Sequence, residues 1–68
     1  MQTGTVVAFD SHRGLGEVED SDGRRYPFHW TKITDGTREI PVGQAVEFSV
    51  APGLLGRWEA VAIRRRSS

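Results

Sequence analysis

Leu15-Gly16-Glu17-Val18-Glu19-Asp20-Ser21-Asp22-Gly23-Arg24-Arg25-Tyr26-Pro27-Phe28-His29-Trp30 is the stretch that decides the fold. It divides into two extended runs, Leu15–Asp20 and Arg25–Trp30, around Ser21-Asp22-Gly23. Asp-Gly is a strong hairpin signal because glycine accepts positive φ. Alternation puts Val18, Tyr26 and Phe28 on one face and Leu15, Glu17, Pro27 and His29 on the other, provided neither strand bulges. The two rings of the first set, Tyr26 and Phe28, read as core. Pro27 cannot donate a ladder hydrogen bond, so its strand is expected at an edge or weakly paired.

On the N-terminal side, Thr3–Asp10 forms another extended run with Val6, Val7 and Phe9, closed by a turn at Ser11-His12-Arg13-Gly14. On the C-terminal side, Thr31–Pro41 is a long polar connection with one short helical turn expected around Thr31–Thr34. In Ala45–Ala51, Val46, Phe48 and Val50 alternate with Glu47 and Ser49. Pro52-Gly53-Leu54-Leu55-Gly56 reads as a loop and Trp58–Arg64 as a fifth run. Residues 65–68 are expected to be a basic, polar tail outside a domain of residues 1–64. No window of about 11 residues holds apolar side chains at helical spacing. A meander of three strands, a long connection and a final pair suit an all-β, five-stranded OB-type Greek-key barrel. An SH3-like barrel of similar size is the alternative.

Composition narrows the function. A chain of 68 residues is one domain and buries only about 60% of its surface. It has no cysteine for a disulfide and no apolar stretch near the roughly 20 residues of a membrane span. The first residues lack a charged segment followed by an apolar run, so the expectation is a cytoplasmic protein without a membrane role. Nine Lys/Arg balance nine Asp/Glu, which argues against binding a polyanion by overall charge. The charges are segregated, however. Acid collects at Glu17, Glu19, Asp20 and Asp22, and base at Arg24-Arg25 and Arg64-Arg65-Arg66. Any polyanion site must therefore be local.

Chemistry beyond binding finds little support. Asp10-Ser11-His12 are chain neighbours, which does not make a triad. His12 and His29 alone make no zinc site. Glu19-Asp20-Ser21-Asp22-Gly23 resembles part of a calcium loop but lacks the downstream bidentate glutamate. The expectation is a binding protein, not an enzyme, with no cofactor.

Order and spacing from Thr3 to about Ile63 resemble a bacterial cold-shock domain. The residues that carry the resemblance are Gly4-Thr5-Val6, Phe9-Asp10, Arg13-Gly14-Leu15-Gly16, Phe28-His29-Trp30, Ile33, Asp35-Gly36, Gly43-Gln44-Ala45-Val46-Glu47-Phe48, and Gly53 with Gly56. The resemblance implies an OB barrel that binds single-stranded RNA or DNA by stacking bases on outward aromatics of two neighbouring strands. The family motifs are usually written Lys-Gly-Phe-Gly-Phe-Ile and Val-Phe-Val-His-Phe. Here they read Arg13-Gly14-Leu15-Gly16-Glu17-Val18 and Tyr26-Pro27-Phe28-His29-Trp30. Leu15, Glu17 and Pro27 thus stand where the family has phenylalanine. Ala8 replaces a tryptophan, Val7 a lysine, and Thr37 or Arg38 a loop phenylalanine.

The resemblance, with these departures, makes Arg13, His29, Trp30, Phe9, Leu15, Lys32, Arg38 and Trp58 the candidate nucleic-acid-binding residues. Phe9 reads as part core, part surface. Trp58 is new relative to the family. It either restores a stacking surface or packs against Leu54, Leu55 or Trp30. Lys32, Arg38 and Arg57 could line a phosphate path beside Arg13. Each stacked base is worth about 1–3 kcal/mol, so losing some four platforms removes much of the roughly 8 kcal/mol of a micromolar complex. Weak or redirected binding is expected. The alternative is a protein-interaction module, or a homodimer that exchanges strands about the Thr31–Pro41 connection.

Overall fold

The computed structural model describes residues 1–53 and 56–66. Five strands follow one another: β1 (Gln2–Asp10), β2 (Leu15–Asp20), β3 (Arg25–His29), β4 (Ala45–Pro52) and β5 (Trp58–Arg65). A 3-10 turn, Trp30–Lys32, follows β3, slightly earlier than the helical turn expected from the sequence. All strand pairs are antiparallel, in the order β3-β2-β1-β4-β5. The architecture is the expected all-β barrel of OB type. Leu54 and Leu55, read from the sequence as loop residues, lie outside the described residues.

The Asp-Gly hairpin forms for the reason its sequence gives. Gly23 sits at φ +82°, and Asp20 Oδ1 accepts the backbone N–H of Asp22 and of Arg24, both at 2.9 Å. The β2–β3 register then pairs Leu15 with His29, Gly16 with Phe28, Glu17 with Pro27 and Val18 with Tyr26, without a bulge. Backbone bonds from Trp30 N–H to Gly14 O (2.9 Å) and from Asp20 N–H to Arg24 O (2.8 Å) bracket this ladder. They set the even-numbered residues of β3 in the hydrogen-bonded pairs. Pro27 therefore falls where a backbone N–H would point away from β2, and its missing donor takes nothing from the ladder. Edge placement, rather than weak pairing, is the outcome.

Val6, Val18, Phe28, Ile33, Ile40, Val46, Phe48, Ala60 and Ile63 form the buried core. β1 lies at its centre, since Gly4 faces Asp20 on β2 and Val46 on β4. A side chain at Gly4 would collide with the Glu19 carbonyl and the Phe48 ring. A bulge at Val7 shifts the β1–β2 register, so that Val6 faces Val18 while Ala8 faces Glu17. Val6 thus points into the core and Ala8 lies beside Glu17 on the other face.

β3 and β5 are not neighbours in the hydrogen-bonded order, so the barrel has a seam. It is fastened at one end, where Ile33 bridges Ile63 and Thr34 N–H donates to Ile63 O at 2.9 Å. Arg65 adds a clamp there. Its guanidinium donates to Asp35 Oδ2 (2.8 Å), Thr37 Oγ1 (2.8 Å) and the Glu39 carbonyl (2.7 Å). The sequence placed Arg65 in the tail. It is instead the last residue of β5, and Arg66 N–H still bonds Ala45 O at 2.9 Å.

Candidate nucleic-acid interface

The β2–β3 register collects the outward side chains into two cross-strand rows. Ala8, Glu17 and Pro27 form one, and Asp10, Leu15 and His29 the other. A shallow groove over this face is lined by Ala8, Phe9, Asp10, Leu15, Gly16, Glu17, Pro27 and Arg57. Leu15 is 41% exposed. Phe9 is half-buried and lies parallel to Phe28, with centroids 6.0 Å apart and planes at 14°. Its part-core, part-surface reading holds. Gly16 makes that packing possible, because a side chain there would come within 2.6 Å of both the Ala8 carbonyl and the Phe28 ring.

The groove's own charge is mixed. Asp10 Oδ1 accepts the N–H of His12 (3.0 Å) and of Arg13 (3.2 Å), which ties the carboxylate to the Ser11–Gly14 turn. Glu17 has no hydrogen-bond or ion-pair partner among the described residues, and it adds a second carboxylate to the groove.

His29 and Trp30 extend the face beyond β3. Their rings are 5.8 Å apart at 35°. His29 caps the 3-10 turn, with Nδ1 taking the Thr31 N–H at 3.3 Å and lying 2.9 Å from Thr31 Oγ1. Among the described residues, Nε2 of the exposed ring has no hydrogen-bond partner. Trp30 is half-buried, packs against the core and borders Gly14, where any side chain would strike the indole. The Arg38 guanidinium sits over the indole, 5.0 Å from the ring centroid. Such a contact is attractive through the ring quadrupole. Arg38 owes its position to the clamp, since Arg65 grips both of its chain neighbours, Thr37 and Glu39. Arg13 is exposed in the turn, and Lys32 is exposed at the end of the 3-10 turn.

Trp58 stands apart from this group. It is 57% exposed and lines a different groove with Arg24, Arg25, Tyr26, Pro27, Val50, Gly56 and Arg57. Phe9, Leu15, His29, Trp30 and Arg38 therefore make one continuous surface, and Trp58 lines a second groove that adjoins it at Pro27 and Arg57. Tyr26, read as core, divides its ring between the two environments. It packs on Phe48 at 5.8 Å and also lines the second groove. The sequence did not assign Arg24 and Arg25 to a site, although their pairing as adjacent cations was visible.

Comparison with known proteins agrees with this geometry. The family described as the 'Cold-shock' DNA-binding domain matches residues 2–65. A cold shock-like protein of Listeria monocytogenes is 39% identical over 57 residues, covering 82% of this chain and 86% of that protein. Cold shock protein CspC of Bacillus subtilis is 35% identical over the same shares of the two chains. Among solved structures, Drosophila Unr CSD456 superposes with a TM-score of 0.80 at 28% identity, over 97% of this chain and 26% of that one. The chain belongs to the cold-shock domain family.

Proposed function

We propose that the protein binds single-stranded RNA or DNA, and binds it weakly. The supporting observation is the outward surface of β1–β3. It keeps His29 and Trp30 as rings against which bases can lie, with Phe9 lining the groove while stacked on Phe28, but sets Leu15, Glu17 and Pro27 in the places where stacking rings would stand. Stacking needs only a flat face and tolerates any base. Leu15 and Pro27 offer apolar contact without a π-face, and Glu17 repels phosphate. Arg38 already covers one side of Trp30, so an incoming base must displace the guanidinium or use the rest of the ring.

Tryptophan fluorescence titration with oligo-dT and with a mixed-sequence RNA, at low and near-physiological salt, tests the proposal. Quenching is expected with half-saturation above about 10 µM strand, short of the roughly 8 kcal/mol of a micromolar complex. Absence of quenching up to about 1 mM strand, where binding would supply only about 4 kcal/mol, rejects it.

A further inference from the structure

The barrel seam is fastened at the Ile33–Ile63 end and opens toward the start of β3 and the start of β5. Among the described residues, the groove there is lined by Arg24, Arg25, Tyr26, Pro27, Val50, Gly56, Arg57 and Trp58. In a chain of zero formal net charge, this lining holds three guanidinium groups and no carboxylate. Arg25 is paired with Glu19 at 3.0 Å, whereas Arg24 and Arg57 have no acidic partner among the described residues. Trp58 presents an indole more than half exposed beside them. Exposed arginines paired with an open indole match a ligand that alternates phosphates with flat rings.

The groove is continuous with the outward face of β1–β3. Pro27 and Arg57 line both. The groove over that face is lined by the Asp10 and Glu17 carboxylates, and Arg57 is the cation among its lining residues. Beyond Arg57 lie Arg24, Arg25 and Trp58, and no acid among the described lining residues. We infer that single-stranded nucleic acid leaves the outward face over Arg57 and lies in the seam, with backbone phosphates on Arg24 and Arg57 and a base on Trp58. The inference rests on the nucleic-acid reading above and extends it to a second contact surface.

Two single-indole variants of the full chain separate the surfaces. Trp30→Phe leaves Trp58 as reporter, and Trp58→Phe leaves Trp30. Far-UV circular dichroism confirms that each is folded. Each is titrated with a twelve-nucleotide oligo-dT and with poly-glutamate. Trp58 fluorescence is expected to be quenched by the oligonucleotide and not by poly-glutamate. Adding Arg24→Ala and Arg57→Ala to Trp30→Phe should lower affinity at low salt by about tenfold and reduce the salt slope by about 1.4, the value for two lost phosphate contacts to a single strand.

Quenching of Trp30 with a silent Trp58 overturns the seam site and leaves the proposed function standing. Quenching of Trp58 with a silent Trp30 supports the seam and removes the outward face from the binding path. Silence of both indoles overturns both readings. Equal quenching of Trp58 by poly-glutamate, or an unchanged salt slope in the double-arginine variant, also overturns the seam site.

Discussion

The two faces of the β2–β3 hairpin share one backbone and carry opposite kinds of side chain. The inward row, Gly16, Val18, Tyr26 and Phe28, carries aromatic rings that pack on Phe9 and Phe48. The outward row, Leu15, Glu17, Pro27 and His29, keeps one ring. Residues that alternate along a strand answer to different requirements. The inner set must fill space next to its neighbours, and a wrong volume is felt at once. The outer set answers only to what lies on it. Stability and ligand binding can therefore change independently within six residues of chain, and the following experiments break or sharpen that separation.

Phe28→Ala should have the largest effect. Truncating a buried phenylalanine costs about 3–5 kcal/mol, against a total stability of about 3–10 kcal/mol for a domain of this length. Urea denaturation is expected to find the variant unfolded or nearly so. A loss below about 1 kcal/mol would show that the inner row is loosely packed. On the outer row, Leu15→Phe, Glu17→Phe and Pro27→Phe together should raise oligo-dT affinity more than a hundredfold, at about 1 kcal/mol or more per restored platform. The melting temperature should change little. If that variant instead loses several kcal/mol of stability, the two rows are coupled.

Gly16→Ala probes the boundary between the rows. Its methyl group meets the Ala8 carbonyl and the Phe28 ring at 2.6 Å. Overpacking of this kind costs about 1–3 kcal/mol, read as a lower urea midpoint with an unchanged m-value.

The smallest effect belongs to the clamp. Hydrogen bonds from the Thr37 hydroxyl and N–H, and then from Arg65, hold the Asp35 carboxyl at about 2, below its ordinary 3.8. A depressed carboxylate stabilises the fold above its unfolded value, and that contribution is lost as pH falls through the folded value. The melting-temperature gap between the native chain and Asp35→Asn should be constant above 3.8 and close as pH falls toward 2. Asp35 is 43% exposed, and exposed pairs are worth about 0.2–1 kcal/mol, or a few degrees in a domain of this size. A gap independent of pH would show that the clamp does not depend on charge.

Much of this was legible in the sequence, for particular reasons. The hairpin and the facing of its residues followed from period-two alternation and one Asp-Gly pair, both local signals. The long-range features were not legible. Arg65 reaches Asp35 across 30 positions, so it reads as tail until β5 is laid beside the connection. The bulge at Val7 leaves no mark in composition, although it fixes which side Ala8 occupies. The sequence left Trp58 either as a stacking surface or packed against Leu54, Leu55 or Trp30, and could not place the two indoles relative to each other. The seam separates them, and a seam is a property of closure rather than of any one strand.

Pro27 has a consequence beyond base stacking. β3 is an edge strand, and edges with free donors invite a second chain to add to the sheet, by mispairing or by growth into fibrils. Arg25, Pro27 and His29 hold the positions that face outward from the ladder, and the middle one has no hydrogen to give. Pro27 thus also makes this margin unattractive to another strand. In the triple variant, Pro27→Phe would restore that donor. Leu15→Phe with Glu17→Phe alone is thus the form to concentrate for structural work.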